Sequence, residues 1–212
     1  MAEITAAQVK ELRERTGAGM MECKKALVEA NGNLAEAEVV LRKRGIASAS
    51  KKSSRATKQG SIGTYIHSGS QLGVMIELNC ESDFVARTED FQELVKDIAM
   101  QIAATDPKFV RKEDVTAEVL DKEREIQKAR AIAEGKPEKI AEKMVEGRLS
   151  KYYEEFCLLE MPFIKDNTVT VAQLIATKIA KMGENISIAR FVRFKVGETM
   201  AATADESTEQ QG

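Results

Sequence analysis

The first 45 residues carry hydrophobic side chains at helical spacing, and glycine-containing turns interrupt this spacing twice. Thr5 and Gln8 are placed as in a helix capping box, where each side chain accepts a hydrogen bond from the other residue's backbone N–H. The apolar residues that follow share one helical face until the glycine-rich turn at Thr16. The pattern predicts a first helix that ends near Arg15.

The same spacing predicts two further helices. The second begins at Met20 and stops at Gly32, because glycine favours the left-handed backbone at a helix end. Asn33 has the position of an N-cap for a third helix, whose apolar stripe continues to Gly45. We therefore predict a three-helix domain over residues 1–45.

Residues 46–59 have no apolar periodicity and are rich in serine, alanine, lysine and arginine. This composition is typical of a solvated linker or of a weakly formed exposed helix, and we place a domain boundary here. Its cations could contact phosphates, but no aromatic side chains are interleaved with them, so a solvated basic linker is the favoured interpretation. These cations are Lys51, Lys52, Arg55 and Lys58.

From Ser61 the hydrophobic period changes to two, which is the period of a strand with one buried face. Two alternating runs, residues 62–66 and 72–78, flank a Ser-Gly-Ser turn and predict an antiparallel hairpin. Residues 186–196 alternate again near the end of the chain. We therefore predict a small sheet of at least three strands.

Helical spacing returns after the hairpin, and Pro107, Gly135 and Pro137 stand where helices are expected to end or begin. Residues 152–159 fit either a strand or a continuation of the preceding helix. The predicted helices span residues 91–102, 117–134, 137–150 and 170–182.

A hairpin, helices and a terminal strand over residues 60–197 predict an α+β core domain, in which a small antiparallel sheet is packed with helices. After Gly197 the sequence becomes small, polar and acidic, which is typical of a segment that cannot bury a core. Residues 198–212 are therefore predicted to form a disordered acidic tail.

The composition argues against several classes of protein. Of 212 residues 43% are hydrophobic and 31% charged, and no apolar run approaches the roughly 20 residues that would span a bilayer. The formal net charge of −2 argues against a dedicated DNA binder. Three cysteines, Cys23, Cys80 and Cys157, are too few and too far apart for a disulfide scaffold or a zinc site. We expect buried thiols in a reducing cytosol.

The residue types needed for catalysis do not cluster in the sequence. His67 is the only histidine, and nothing in the sequence supplies it with a nucleophile or an orienting acid. Neither the phosphate-binding loop with a Gly-Lys-Ser/Thr ending nor the dinucleotide-binding glycine pattern is present, and the carboxylates are spread over amphipathic helices. We therefore predict no enzyme, no cofactor and no metal site.

Two segments contain side chains whose type and position packing alone does not require. Adjacent Met20 and Met21 at a helix start place at least one methionine off the buried stripe, where it can act as an adaptable contact. At the end of the second strand, Phe84 and Asp83 combine an aromatic anchor with a carboxylate, as in many interface hot spots. The alternative, favoured by packing alone, is that Ser82 or Asp83 caps the next helix and Phe84 folds inward.

The strings Leu12–Leu27 and Glu77–Arg87 resemble the two signature regions of the elongation factor Ts family, in the family's order and at a suitable separation. Residues 140–148 resemble a third family segment, and the similarity extends from Met1 to about Glu198. Longer members carry two related core halves, whereas this chain has material for one. It therefore resembles the short form of the family.

The resemblance implies a guanine nucleotide exchange factor that binds GDP-bound and nucleotide-free elongation factor Tu, promotes GDP release and allows GTP to load. In the family, a three-helix unit similar to ubiquitin-associated domains packs against the nucleotide-binding domain of elongation factor Tu. The residues of this chain that the resemblance assigns to that contact are Leu12, Arg13, Thr16, Gly17, Met20, Met21 and Lys24.

The resemblance also implies a second contact. The family's threonine-aspartate-phenylalanine-valine element, which intrudes beside the magnesium site of elongation factor Tu, corresponds to Ser82, Asp83, Phe84 and Val85. Serine in place of threonine keeps the hydroxyl group and loses a methyl group. Phe84 is the residue expected to act as a wedge.

Because the chain has one core half, we expect two chains to pair through the core domain into a homodimer. The resemblance implies a bacterial-type cytoplasmic location, with an organelle stroma as the alternative, and neither a membrane nor a nucleic-acid partner. A helical adaptor that contacts RNA through the basic linker is the second hypothesis, and an enzyme built from dispersed carboxylates is the third.

Overall fold

The computed structural model describes residues 4–198, and for Lys139 the backbone alone. These residues group into two compact units, each of which combines segments that are distant in sequence. Unit 1 comprises residues 4–61, 78–93 and 172–187, and unit 2 comprises residues 62–77, 94–171 and 188–198. The predicted acidic tail lies outside the described residues from residue 199 onward.

Three helices open unit 1, as the sequence predicts: α1 (Ala6–Thr16), α2 (Met20–Glu29) and α3 (Leu34–Lys52). The predicted capping box is confirmed, since the Thr5 hydroxyl accepts from the Gln8 N–H and the Gln8 side chain accepts from the Thr5 N–H. The buried residues of these helices form one apolar cluster. Its members are Val9, Leu12, Cys23, Ala26, Leu27, Ala30 and Ala37.

The third helix continues past Gly45 to Lys52, so its predicted end at Gly45 is wrong. A glycine inside a helix costs about 1 kcal/mol relative to alanine, and the alanines and lysines that follow Gly45 favour the helical state. Gly45 is buried, and a Cβ there would lie 3.7 Å from the Ala180 Cβ. An alanine would make only an ordinary contact here, so Gly45 neither ends the helix nor is required by its packing, and the predicted linker begins as helix.

The predicted hairpin and terminal strand are confirmed and form a three-stranded sheet with the strand order β1-β2-β5. The inward-facing residues of β2 are buried at every second position from Val74 to Cys80, as its period of two predicts. The strands are β1 (Gln59–Ile66), β2 (Leu72–Cys80), β3 (Pro162–Phe163), β4 (Asp166–Thr170) and β5 (Ile186–Lys195).

The short antiparallel hairpin of β3 and β4 was not predicted, because each strand is too short to show a period. Pro162 pairs with Thr170 and Phe163 with Asp166. The fully buried Gln101 supports this hairpin: its amide nitrogen donates to the Pro162 carbonyl at 3.1 Å, and its amide oxygen accepts from the Ile164 N–H at 2.8 Å. These bonds satisfy a buried amide that would otherwise destabilise the core.

The remaining helices occur where the sequence predicts them, with one extension, except for a one-turn helix over residues 83–86 that was not predicted. The ambiguous segment after residue 150 continues the preceding helix as far as Phe156. The helices are α4 (Asp83–Ala86), α5 (Glu89–Thr105), α6 (Ala117–Ala133), α7 (Glu138–Phe156) and α8 (Val171–Met182). Within residues 4–198, none of these helices is both long and apolar enough to cross a membrane.

All three cysteines are buried free thiols, which confirms the prediction from their spacing. Burial raises the pKa of the Cys157 thiol to about 11, and burial also raises the pKa values of the Cys23 and Cys80 thiols. A buried thiol with a raised pKa is protonated at neutral pH, so these side chains pack as small apolar groups.

Gly63 on β1 packs against α5 without room for a side chain. A Cβ at this position would lie 2.0 Å from Val95 Cγ1. We therefore expect Gly63→Ala to lower the free energy of unfolding by about 1–3 kcal/mol, the usual cost of overpacking a core. Urea unfolding followed by circular dichroism measures the change.

Gly147 on α7 provides the control for this substitution, because a Cβ there would have no neighbour within 4 Å. Gly147→Ala is expected to raise the free energy of unfolding by about 0.5–1 kcal/mol, since alanine favours the helix. Equal stability of Gly63→Ala and the parent chain would contradict the packing described at β1.

Candidate functional site

The turn between β2 and α5 contains the one-turn helix α4, which begins directly after Ser82. Ser82 is the N-cap of α4, because its hydroxyl oxygen accepts from the Val85 N–H at 3.4 Å. Ala86 is buried at the other end of the turn. The sequence prediction that Ser82 or Asp83 caps a helix is thus confirmed for Ser82.

Phe84 points into solvent, with 80% of its surface exposed. The alternative in which Phe84 folds inward is therefore wrong for this structure. Its neighbours Asp83 and Val85 are half-buried. The turn presents one large aromatic ring to solvent while the adjoining backbone packs against the protein.

Glu184, which follows α8, holds Ser82 by two hydrogen bonds. Glu184 Oε1 accepts from the Ser82 hydroxyl at 2.6 Å, and Oε2 accepts from the Ser82 backbone N–H at 3.0 Å. The adjacent residues form a hydrogen bond in which the donor and acceptor segments are exchanged. Asn185, which follows Glu184, donates its backbone N–H to Oε1 of Glu81, which precedes Ser82, at 2.6 Å. Glu81-Ser82 and Glu184-Asn185 therefore bind each other, and each pair accepts through its glutamate carboxylate.

Asn185 joins this contact to the end of the third helix. Its side-chain amide donates to the carbonyls of Arg55 at 2.8 Å and Ser53 at 3.4 Å. The Arg55 guanidinium lies 3.4 Å from Glu81 Oε1. Asn185 is buried, and its hydrogen bonds offset the cost of removing the amide from water.

Gln92 on α5 holds the far end of the turn. Its amide nitrogen lies 2.7 Å from the Ala86 carbonyl and 3.0 Å from the Ser61 hydroxyl, and it donates to both. The Thr88 hydroxyl donates to the Val85 carbonyl at 2.8 Å. Both ends of the segment that carries Phe84 are thus fixed by side chains from outside it.

Asp83 forms an ion pair with Arg87 across one helical turn, at 2.9 Å. The Arg87 side chain is 79% exposed and that of Asp83 47% exposed, so the pair contributes less than about 1 kcal/mol to stability. A partner can therefore compete for either charge at small cost. This leaves a carboxylate and a cation on the same exposed turn as Phe84.

The structure separates the predicted contact residues of the first two helices into exposed and packing side chains. Met20 and Met21 are 44% and 65% exposed, and Arg13 and Lys24 are exposed as well. Leu12, in contrast, is fully buried in the helical core and cannot itself contact a partner in this conformation. The exposed methionines provide the adaptable apolar surface that the sequence indicated.

Thr16 and Gly17 end α1. The Thr16 hydroxyl donates to the Leu12 carbonyl at 2.7 Å, and Gly17 adopts the left-handed backbone with φ +66°. A Cβ at Gly17 would lie 3.2 Å from Lys181 Cε, so the lysine chain passes directly over this glycine. These two residues shape the turn before Met20.

Lys181 on α8 also binds Asp90, with 2.6 Å between Lys181 Nζ and Asp90 Oδ1. This hydrogen bond holds the pKa of the Asp90 carboxyl below its ordinary value, against the opposing effect of partial burial. A depressed pKa stabilises the folded state at pH values above the ordinary pKa, and the contribution is lost as the pH falls through the folded-state pKa.

We expect Asp90→Asn to lower the free energy of unfolding by about 0.5 kcal/mol at pH 7, the usual contribution of a partly exposed ion pair. The difference should shrink as the pH falls below the ordinary aspartate pKa of about 3.9 and vanish below the lowered folded-state pKa, where the parent carboxyl is also protonated. Urea unfolding at both pH values measures it. The exposed Glu146, replaced by glutamine, is the control and should show no difference at pH 7.

Among residues 4–198, no three His, Cys, Asp or Glu side chains converge as they would around a metal ion. His67 accepts or donates one hydrogen bond with the Tyr65 hydroxyl at 3.0 Å on an exposed surface.

Local structure also accounts for the positions of three cations in the basic segment. Lys51 and Lys52 occupy the last turn of α3, where cations interact favourably with the helix dipole. Arg55 is paired with Glu81. The structure thus places two of the four cations on a helix, which agrees with the exposed-helix alternative for the start of this segment.

Sequence reasoning missed Glu184, Asn185 and Gln92, which hold the Phe84 turn. Glu184 and Asn185 follow Gly183, which ends α8 with φ +80°, and their position before an apolar strand carries no periodic signal. Gln92 falls on a helix among other polar residues. The one available signal was a pair of polar residues between a glycine stop and a strand.

Both predicted contact segments, the first two helices and the Phe84 turn, lie in unit 1. Fold and site thus define a class: an α+β protein with an N-terminal three-helix unit and an exposed aromatic residue on a braced turn.

Comparison with known proteins gives that class its family. The family model described as "Elongation factor TS" matches residues 2–198. The chain is 73% identical to the elongation factor Ts of Solibacter usitatus over 208 residues, which cover 98% of each chain. It is 60% identical to that of Koribacter versatilis over 209 residues, which cover 99% of this chain and 95% of the relative. The chain belongs to the elongation factor Ts family.

Proposed function

We propose that this chain is a guanine nucleotide exchange factor for elongation factor Tu and acts in the cytoplasm during translation elongation. The observation that carries the proposal is Phe84, exposed on a turn that the rest of unit 1 holds in place. Membership of the elongation factor Ts family supplies the partner. The chain itself performs no chemistry.

An exposed phenylalanine at this position favours binding energetically. Burying a phenylalanine side chain contributes about 1.5–3 kcal/mol, and Phe84 retains most of that surface for a partner. Because the backbone of the turn is already held at both ends, little conformational entropy is lost when the ring is buried. These are the properties of an interface hot spot.

Phe84 acts as a wedge beside the magnesium and phosphate site of elongation factor Tu. GDP is retained there by backbone amides that cradle its phosphates and by Mg²⁺, so a displacement of those groups weakens both. Asp83 and Val85 flank the wedge, and Ser82 sets where it begins. Because coupling is reciprocal, GDP weakens the binding of this chain by the same factor, and the complex with both bound is short-lived.

The first two helices form the second contact, against the nucleotide-binding domain of elongation factor Tu. Met20 and Met21 provide apolar surface, while Arg13 and Lys24 provide exposed cations. Leu12, Thr16 and Gly17 contribute by fixing the end of α1 rather than by direct contact. This surface contributes affinity, and the wedge contributes the acceleration of GDP release.

Replacing Phe84 with alanine should slow GDP release at saturating factor by at least tenfold, since hot-spot truncations cost about 2 kcal/mol or more. The measurement is stopped-flow release of a fluorescent GDP analogue from elongation factor Tu. The matched control is Ile132→Ala, which removes a half-exposed side chain from α6 in unit 2 and should leave the rate unchanged.

The possible outcomes separate function from mechanism. Equal rates for the parent chain and Phe84→Ala would refute the wedge but leave the exchange activity standing. No acceleration by the parent chain would refute the exchange proposal and favour the helical adaptor. In that case, salt-sensitive RNA binding that is lost when Lys51, Lys52, Arg55 and Lys58 are neutralised would identify the adaptor's ligand.

The homodimer, in turn, is supported by the outer face of the three-stranded sheet in unit 2. This face carries exposed apolar side chains on all three strands, and Phe194 is 72% exposed. An apolar sheet face in contact with water favours association, and a second copy supplies a matching face. The exposed apolar residues are Ile62, Ile66, Met75, Val192, Phe194 and Val196.

A charge on this face should therefore dissociate the dimer. We expect Phe194→Asp to sediment as a monomer at concentrations where the parent chain sediments as a dimer, because burying an unpaired carboxylate costs several kcal/mol. Ile132→Asp on α6 is the control and should remain dimeric. A monomeric, fully active parent chain would contradict the homodimer.

A further inference from the structure

Helix α4 has too few residues to hold the direction of Phe84 by itself. It spans only Asp83–Ala86, and a single helical turn fixes several backbone dihedrals for the gain of one hydrogen bond. The Phe84 ring contributes little packing, since 80% of its surface is exposed. The direction of the ring therefore depends on whatever fixes the backbone of the turn.

Glu184 fixes the entry to this turn. Its carboxylate accepts both donors of Ser82, the hydroxyl at 2.6 Å and the backbone N–H at 3.0 Å. Hydrogen bonds to an ionised carboxylate are shorter and stronger than neutral ones. Because the hydroxyl proton points to Glu184, the lone pairs of the same oxygen are free to accept from the Val85 N–H.

Glu184 is itself held from two sides. It follows Gly183, whose left-handed backbone ends α8, and it precedes the buried Asn185. Asn185 donates through its backbone to Glu81 and through its side chain to Arg55 and Ser53. The carboxylate that receives Ser82 is therefore anchored to β2, α8 and the end of α3 at once.

We propose that Glu184 is a positioning residue for the exchange reaction: it orients Phe84 by holding both donors of Ser82. The inference rests on the proposed function and extends it to a residue outside the motif. Glu184 lies next to the N-cap and not at the wedge, so it acts through Ser82 and touches neither GDP nor Mg²⁺.

This position has a kinetic consequence. Loss of Glu184 leaves the Phe84 ring and the exposed methionines of α2 in place, so the affinity for elongation factor Tu should change little. The wedge would then sample several directions, and only a fraction of the bound complexes would have it in the productive one. The maximal rate of GDP release should fall while the half-saturating concentration remains.

The test compares Glu184→Ala, Glu184→Gln, Ser82→Ala and the double variant Glu184→Ala/Ser82→Ala in the stopped-flow assay. Glu184→Ala should lower the maximal rate about tenfold with less than about threefold change in the half-saturating concentration, and Glu184→Gln should restore part of the rate. Because both residues act through one contact, the double variant should be no slower than the slower single variant.

A second measurement does not depend on exchange activity. Amide hydrogen exchange across residues 82–86 of the isolated protein should become faster in Glu184→Ala and in Ser82→Ala. Exchange across α7 should remain as in the parent chain, which shows that the variants are folded. Ser82→Ala removes only a hydroxyl, so it serves if Glu184→Ala does not fold.

Parent-like maximal rates in Glu184→Ala would overturn the inference while leaving the exchange function intact. Rate losses in the single variants that multiply in the double variant would also overturn it, because the two residues would then act independently. If the parent chain itself does not accelerate GDP release, the proposed function fails, and the positioning inference fails with it.

Discussion

The proposed mechanism depends on one constraint: a large aromatic side chain must remain in water and still point in a defined direction. The hydrophobic core cannot supply this, because a core orients side chains by burying them. Here the backbone is held instead, by Glu184 at Ser82 and by Gln92 at Ala86. Phe84 is then displayed at 80% exposure without freedom of the chain that carries it. The hydrogen bonds that hold the turn therefore allow the ring to be exposed and still point in a defined direction.

The need to hold the Phe84 turn explains the organisation of unit 1. The segments at residues 78–93 and 172–187 pack with the N-terminal helices and bring together three places where the chain ends an element: the end of α3, the end of β2 and the end of α8. Asn185, which follows α8, bonds to Ser53 and Arg55 after α3 and to Glu81 after β2. Because such termini leave backbone groups without partners, polar side chains find acceptors and donors there. The exposed methionines of α2 lie in the same unit, so one compact body carries both proposed contacts with elongation factor Tu.

Most of the secondary structure could be predicted from the sequence, because long periodic segments such as α5 and β2 have buried faces that repeat many times. The end of α3 was mispredicted, since the alanines and lysines that follow Gly45 favour the helical state and the helix continues past this glycine to Lys52. The direction of Phe84 could not be predicted from the local sequence either, because a cap at Ser82 is compatible with an inward or an outward ring. Glu184 and Asn185 decide the matter from about 100 positions further along the chain, and no spacing rule joins residues that far apart.

The central claim is that Phe84 couples the binding of this chain to the release of GDP. Calorimetric titration of elongation factor Tu with the parent chain and with Phe84→Ala, each with and without saturating GDP, measures that coupling directly. If Phe84 carries the coupling, GDP weakens binding of the parent chain strongly, whereas Phe84→Ala, although it binds the nucleotide-free partner more weakly, loses most of this antagonism. The same GDP-dependent weakening in both proteins would contradict it.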